Sequence, residues 1–272
     1  MTGRPYITSV SNPRLRSLRR LRRNPRRAGG DFLVEGYRQV AAALGAGKAV
    51  RELYVSPELY LGQSDAALVS RAERQGATVT LLSPAAFASI VRQARTDGIA
   101  GVVERWPTRL AALELGSTPL LLVAEGIERP GNLGTIIRTA CAAGADALII
   151  CDGGTSAFHP ETVRGSAGAL FRVPISESDT PAAISWLRER GIRIVVATPH
   201  GDRMHRDADF GDSTAVVVGN ERHGVSTPWL EAANETVRIP MPGPADSLNV
   251  GVAAGVVMSE AAYQRLHRAA VG

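Results

Sequence analysis

The chain has 272 residues, 44% of them apolar, a formal charge of +5 and two cysteines. That length allows one large or two ordinary domains with a real core. No run approaches the roughly 18 apolar residues of a membrane span, and the basic N-terminus lacks the apolar segment of a signal peptide. Cys141 and Cys151 form no CxxC pair; the first lies in a small-residue helical stretch and the second ends an apolar strand. Both read as reduced core residues of a cytoplasmic protein.

Charge is uneven along the chain. Residues 1–27 hold nine arginines and no acid, leaving 22 basic against 26 acidic residues in the remainder. SNPRLRSLRRLRRNPRR reads as a short basic helix closed at Asn24-Pro25. Such a helix, with Arg19, Arg20, Arg22 and Arg23 along it, is the footprint of a polyanion such as RNA.

After the arm, FLVEGYRQVAAAL (32–44) runs from strand into helix, RELYVSP (51–57) is a strand, and GATVTLLS (76–83) is another. SPAAFASIVRQAR (83–95) predicts a helix with Ser83 as cap and Pro84 in its first turn. GIAGVVER (98–105) returns as a strand. Residues 1–105 therefore form a basic arm and a small α/β domain, and 106–118 read as a linker to a second domain over 119–272.

In the second half, strands and helices alternate more strictly. LLLVAEG (120–126) is a buried strand and GNLGTIIRTACAAG (131–144) a helix closed by Gly144. ALIICDGG (147–154) is a strand and HPETVRGSAGALF (159–171) a helical turn region. TPAAISWLRERG (180–191) is a helix, followed by strands at IRIVVATP (192–199), TAVVVGNE (214–221) and TVRIPM (236–241). A last helix spans about Asn249 to His267. Apolar strands alternating with helices predict a parallel sheet covered on both faces.

Three stretches carry the chemistry. The first βα turn has no GxGxxG, which weighs against an ordinary dinucleotide site. AEGIERPGNLGTIIRTA instead puts Asn132 and Arg138 close to two turns apart on one helix, able to face one cleft. Arg138 stands among Ile136, Ile137 and Ala140, and a buried arginine needs an anionic partner. VVVGNERHGVS (216–226) runs a strand into Gly219, Asn220 and Glu221, at the edge where open α/β sheets bind ligands. IPMPGPADSLNVGVAAG (239–255) places Pro240, Pro242 and Pro244 in a stiff loop, then starts a helix at Ser247 and Asn249. The small residues of that helix let another segment press against it. His200 and His205 flank Asp202, but no third ligand has motif spacing, so no metal is expected.

NLGTIIR (132–138), VVGNERHGVS (217–226) and the proline-rich stretch, in this order and spacing, resemble the three motifs of the TrmH/SpoU branch of the SPOUT RNA methyltransferases. The resemblance covers 118–267. FLVEGYRQV resembles part of the small ribosomal-protein-like substrate-binding domain often fused in front. It implies an α/β fold with a C-terminal trefoil knot, a homodimer, and S-adenosylmethionine as cofactor. By position, it implies that Arg138, with Asn132 and Glu221, handles a ribose 2′-hydroxyl, and that Ser247 and Asn249 sit where cofactor and substrate meet. Thr198, Gly219, Asn220, Ile239, Met241 and Leu248 would also hold the cofactor, and Arg164 would contact RNA phosphate. Arg222-His223 and Gly251 depart from the family's commonest residues. The implied activity is 2′-O-methylation of 23S ribosomal RNA, either housekeeping or conferring antibiotic resistance. A tRNA methyltransferase and a non-catalytic RNA- or ribosome-binding protein are the alternatives.

Overall fold

A computed structural model describes residues 3–23, 30–92, 97–220 and 222–271. The chain divides into two units, Met1–Trp106 with Ser156–Phe171, and Pro107–Thr155 with Arg172–Gly272.

The first unit holds strands β1 (Tyr6–Ile7), β2 (Asp31–Glu35), β3 (Val50–Val55), β4 (Thr78–Leu82) and β5 (Ile99–Glu104), in the order β1-β4-β3-β5-β2. β1, β4 and β3 run parallel, while β5 is antiparallel to both β3 and β2. Its early helices are α1 (Pro13–Arg23), α2 (Tyr37–Gly45), α3 (Asp65–Arg74) and α4 (Pro84–Ala88). Asn12 starts α1: its Oδ1 accepts from the Arg14 N–H at 2.9 Å, and Pro13 occupies the first turn. Leu15 and Leu18 are buried with Leu33, Tyr54, Leu82 and Phe87. The next residue of β2, Phe32, points the other way, against Trp106, Phe158 and Phe171 with ring centroids 4.9–6.3 Å apart. Alternation along β2 thus supplies apolar cover to both faces.

The predicted helix over 83–95 is shorter. α4 starts at the expected Ser83 cap, whose Oγ accepts from the Ala86 N–H at 3.3 Å, but ends at Ala88. Two elements, α3 and the two-residue β1, have no counterpart in the sequence reading of this unit, nor does the antiparallel placement of β5.

The excursion Ser156–Phe171 contains α6 (Pro160–Gly165) and belongs to the first unit; α5 (Pro130–Ala142) precedes it in the second. His159 caps α6, its Nδ1 accepting from the Glu161 N–H at 3.2 Å.

Among the described residues, the second unit has seven parallel strands: β6 (Leu120–Glu125), β7 (Ala147–Cys151), β8 (Ile175–Ser178), β9 (Arg193–Ala197), β10 (Arg203–Met204), β11 (Thr214–Val218) and β12 (Glu235–Arg238). Their order is β10-β12-β9-β11-β6-β7-β8. Helices α7 (Thr180–Glu189), α8 (Thr227–Ala232) and α9 (Val250–Val271) complete it with α5. β6, β7 and β11 are buried along their whole length, which is why they read as unbroken apolar runs. The stretch read as a linker is docked here: Leu110, Leu113 and Leu115 pack on the core, and the Thr108 carbonyl accepts from the Glu177 N–H at 2.8 Å. Cys151 is buried, which pushes its thiol pKa up, and both cysteines are free.

Late in α9, Gln264 Oε1 accepts from the Phe210 N–H at 3.0 Å. Arg265 donates to the carbonyls of Phe210, Thr118, Pro119 and Asp212 at 2.6–3.3 Å. The helix is thereby fastened to the segment entering β11 and to the one entering β6.

The His159 cap gives a pH dependence. Burial, which penalises the charged ring, holds this imidazole below its ordinary pKa of about 6.5, and only the neutral ring can accept from the Glu161 N–H. A depressed histidine stabilises the fold above the unfolded value and loses that contribution as pH falls through the native one. Thermal midpoints measured from pH 8 down to 5 should therefore fall more steeply for the wild type than for His159→Asn, which caps in one charge state and is worth about 1 kcal/mol. Parallel profiles would contradict this role.

Candidate functional site

Four neighbouring strands, in the order β12-β9-β11-β6, end at one edge of the second sheet. A cavity of about 430 Å³ opens beyond the ends of β9, β11 and β12. Thr198 and His200 enter it after β9, Gly219, Asn220, Arg222 and His223 after β11, and Ile239 and Met241 after β12. Ser247, Leu248, Val250 and Ala253 line it from the start of α9. Every predicted cofactor residue other than Asn249 therefore lines one cavity.

Local sequence explains each wall. After β11 the backbone turns back on itself. Gly224 N–H donates to the Asn220 carbonyl at 2.9 Å, and Gly224 takes a φ of 69°. Any Cβ on Gly219 would collide with the Gly224 carbonyl, so this approach requires glycine. Asn220 staples the loop: its Nδ2 donates to the Gly126 carbonyl at 2.8 Å, and its Oδ1 accepts from the Arg222 and His223 N–H groups at 2.8 and 3.2 Å. After β12, Pro240 and Pro242 lack the N–H a ladder needs, and the strand stops at Arg238, short of the predicted Met241.

In the third wall the helix begins at Val250, in line with the expected start at about Asn249. Ser247 is exposed, and Asn249 is the cap. Its carbonyl accepts from the Ala253 N–H at 2.9 Å and its Oδ1 from the Gly251 N–H at 3.0 Å. The same side chain donates from Nδ2 to Asn132 Oδ1 at 3.2 Å, joining the first and third motifs. A Cβ on Gly251 would lie 2.7 Å from Thr135 Cγ2 and 3.2 Å from Asn249 Oδ1. Glycine at 251 is therefore what lets α9 press against α5.

Arg138 is not buried. Leu133, Ile136, Ile137 and Ala140 share the inward face of α5, whereas Arg138 is exposed and is not among the cavity-lining residues. Its apolar neighbours are adjacent in sequence, but 100° per residue carries it off their face. Glu221 lies outside the described residues, as do Asn24 and Pro25. Asp202 is engaged by Thr236 (2.7 Å), His200 lines the cavity and His205 is buried. Among the described residues, no three His, Cys, Asp or Glu side chains are grouped to hold a metal.

The predicted RNA residues divide. On α1, Arg19 donates to the Val10 carbonyl (3.0 Å) and Ser89 Oγ (3.1 Å), and Arg22 to the Val91 carbonyl (2.7 Å). Arg20 and Arg23 are exposed. Arg164, on α6, is exposed in the same unit. Burial pushes the Glu35 carboxyl pKa up, opposed by the Arg92 N–H and by the charges of Arg22, Arg164 and Arg92. These arginines thus surround one carboxyl in the first unit.

Sequence reasoning missed His200, Leu230 and Ala253 as lining residues, and it missed Glu125. The cavity fits S-adenosylmethionine. Its volume falls within the roughly 300–1,000 Å³ of small-molecule sites. Val225, Leu230, Ile239, Met241 and Leu248 offer apolar surface to such a ligand.

Residues 119–259 match the SpoU rRNA Methylase family and residues 12–101 the MRM3-like substrate binding domain. The chain is 30% identical over 253 residues to the 23S rRNA (guanosine(2553)-2'-O)-methyltransferase RlmP of Bacillus subtilis, covering 93% of this chain and 97% of that one. It is 32% identical to the 23S rRNA (uridine(2479)-2'-O)-methyltransferase of Streptomyces viridochromogenes, covering 90% and 86%. The crystal structure of the SpoU methyltransferase AviRb from that organism, in complex with AdoMet, superposes with a TM-score of 0.86 at 30% identity over 94% of this chain and 98% of that one.

The Gly251 contact is testable. Gly251→Ala should cost about 1–3 kcal/mol of stability through overpacking and weaken S-adenosylmethionine binding by disturbing Asn249. Adding Thr135→Ala, which removes the opposing Cγ2, should restore most of both in calorimetry. A Gly251→Ala variant as stable as the wild type would contradict the packing account.

Proposed function

The chain belongs to the SpoU rRNA methylase family, and from that premise we propose that it transfers a methyl group from S-adenosylmethionine to a ribose 2′-hydroxyl of 23S ribosomal RNA. The observation that carries the reading is the single cavity built by the second and third motifs and tied to the first through Asn249 and Asn132. The bound cofactor supplies an electrophilic methyl group. The protein's own task is to orient the attacking oxygen and to stabilise the charge that develops on it.

Arg138 suits the second task as a hydrogen-bond donor, since a guanidinium carries five N–H donors and no acceptor. Asn132 and Glu221 act with it, and Ser247 and Asn249 sit between cofactor and target. The cofactor is held by Thr198, Gly219, Asn220, Ile239, Met241 and Leu248. A trefoil knot through the segments around α9, whose two ends are separately fastened, accords with the family.

The active form is a homodimer in a cytoplasmic setting. Val252, Tyr263 and Leu266 are 51%, 58% and 71% exposed along α9, an apolar stripe suited to a second copy. Arg138, exposed outside its own cavity, fits a site completed across such an interface. Residues 1–105 serve RNA binding and 119–272 catalysis, with 106–118 between them. Arg164 adds a phosphate contact from the excursion that belongs to the first unit. The relatives named as 23S rRNA enzymes favour ribosomal RNA over tRNA.

Two measurements check this. Arg138→Ala should abolish methyl transfer to ribosomal RNA while S-adenosylmethionine affinity by calorimetry stays within about twofold; normal turnover would sink the role. On the arm, replacing Arg20 and Arg23 with alanine should weaken RNA binding and reduce its salt slope by roughly one per arginine. Replacing the docked Arg19 and Arg22 should instead lower the thermal midpoint. Equal salt slopes for wild type and Arg20/Arg23 variants would remove those two from the RNA surface.

A further inference from the structure

Glu125 ends β6 and is 6% exposed, yet it makes no ion pair among the described residues. A buried carboxylate without a cation is costly unless donors converge on it. They do. Oε2 accepts from the Ser226 N–H at 2.8 Å, and Oε1 accepts from Ser226 Oγ and, at 3.4 Å, from Thr180 Oγ1. The Thr180 oxygen is itself held by Trp229 Nε1 at 3.0 Å. Ser226 stands at the N-cap of α8 but makes no side-chain cap bond, because its hydroxyl is turned to Glu125.

Ser226 closes the loop that begins at Gly219. The next residue after Glu125, Gly126, receives the Asn220 staple at the loop's other end. Two consecutive residues at the end of β6 therefore grip both ends of one loop. That loop supplies Gly219, Asn220, Arg222, His223, Gly224 and Val225 to the cavity.

We propose that Glu125 is a positioning residue for the cofactor site: through Ser226 it fixes the 219–226 loop in the shape that binds S-adenosylmethionine. It touches neither cofactor nor substrate. The inference rests on the cavity being the cofactor site, so cofactor binding by the wild type is measured first, and its absence would overturn that assignment rather than the grip on the loop.

The variants differ in what they leave for Ser226. Glu125→Ala strands its partly buried N–H and should raise the S-adenosylmethionine Kd roughly tenfold. Glu125→Gln should stay within about threefold, since the amide oxygen can accept from the N–H while the amide nitrogen donates to Oγ. Ser226→Ala, which loses one donor, should weaken binding by about threefold. RNA affinity should hold in all three, and hydrogen exchange should accelerate over 219–226 in Glu125→Ala but not in β6 or β11. Undiminished cofactor affinity in Glu125→Ala would overturn the proposal, as would a parallel loss of RNA affinity and loop protection everywhere. Should Glu125→Ala fail to fold, Ser226→Ala decides alone, and wild-type cofactor affinity there overturns the proposal.

Discussion

The last helix is held by polar bonds at its two ends, to α5 at one and to the segments entering β6 and β11 at the other, and the site depends on where those bonds place it. Near its C-terminus one guanidinium, Arg265, donates to four backbone carbonyls, and burial lowers its pKa. Four acceptors converging on one planar donor set leave little freedom in the helix's rotation or axial position. At the N-terminus the Asn249 side chain caps α9 through Oδ1 and bonds Asn132 through Nδ2. Between these fixed points the helix can approach α5 closely only because residue 251 has no Cβ. The proline-rich loop then runs from the end of β12 to the Asn249 cap.

This arrangement separates rigid support from adaptable contact. The cofactor-facing groups sit on loops, and the loops after β11 and β9 are tied down through backbone acceptors or a buried side chain. Asn220 and Glu125 tie the loop after β11, and Arg238 ties the turn after β9, donating to the carbonyls of Gly201 and Asp202 at 2.6 and 2.9 Å. The basic side chains Arg222, His223 and His200 remain at the cavity's exposed rim, where an anionic substrate would approach.

Much of this was legible in the sequence, and the limits have physical reasons. The buried strands of the parallel sheet announce themselves as apolar runs, and Ser83, Gly144 and the prolines mark real boundaries. Tyr6–Ile7 and Arg203–Met204 are too short to show any period. Helix α3 has its inward Leu68, Val69 and Ala72 at helical spacing, but these are only three apolar positions in a short segment between two strands. Arg138 was judged by its sequence neighbours rather than by its helix face. The start of the last helix at about Asn249 was legible, but the second bond of that side chain, to Asn132 117 residues away, was not. Glu125 was invisible for another reason: its partner Ser226 lies 101 residues away, and nothing local says that a strand-ending carboxylate will stay buried.

The most direct measurement is transfer of labelled methyl from S-adenosylmethionine to unmodified 23S ribosomal RNA and, in parallel, to bulk tRNA, followed by nuclease digestion and identification of the labelled nucleoside. The account predicts label in ribosomal RNA as a single 2′-O-methyl nucleoside. Label confined to tRNA, a base-methylated product, or no transfer to either RNA by protein that binds the cofactor would contradict it.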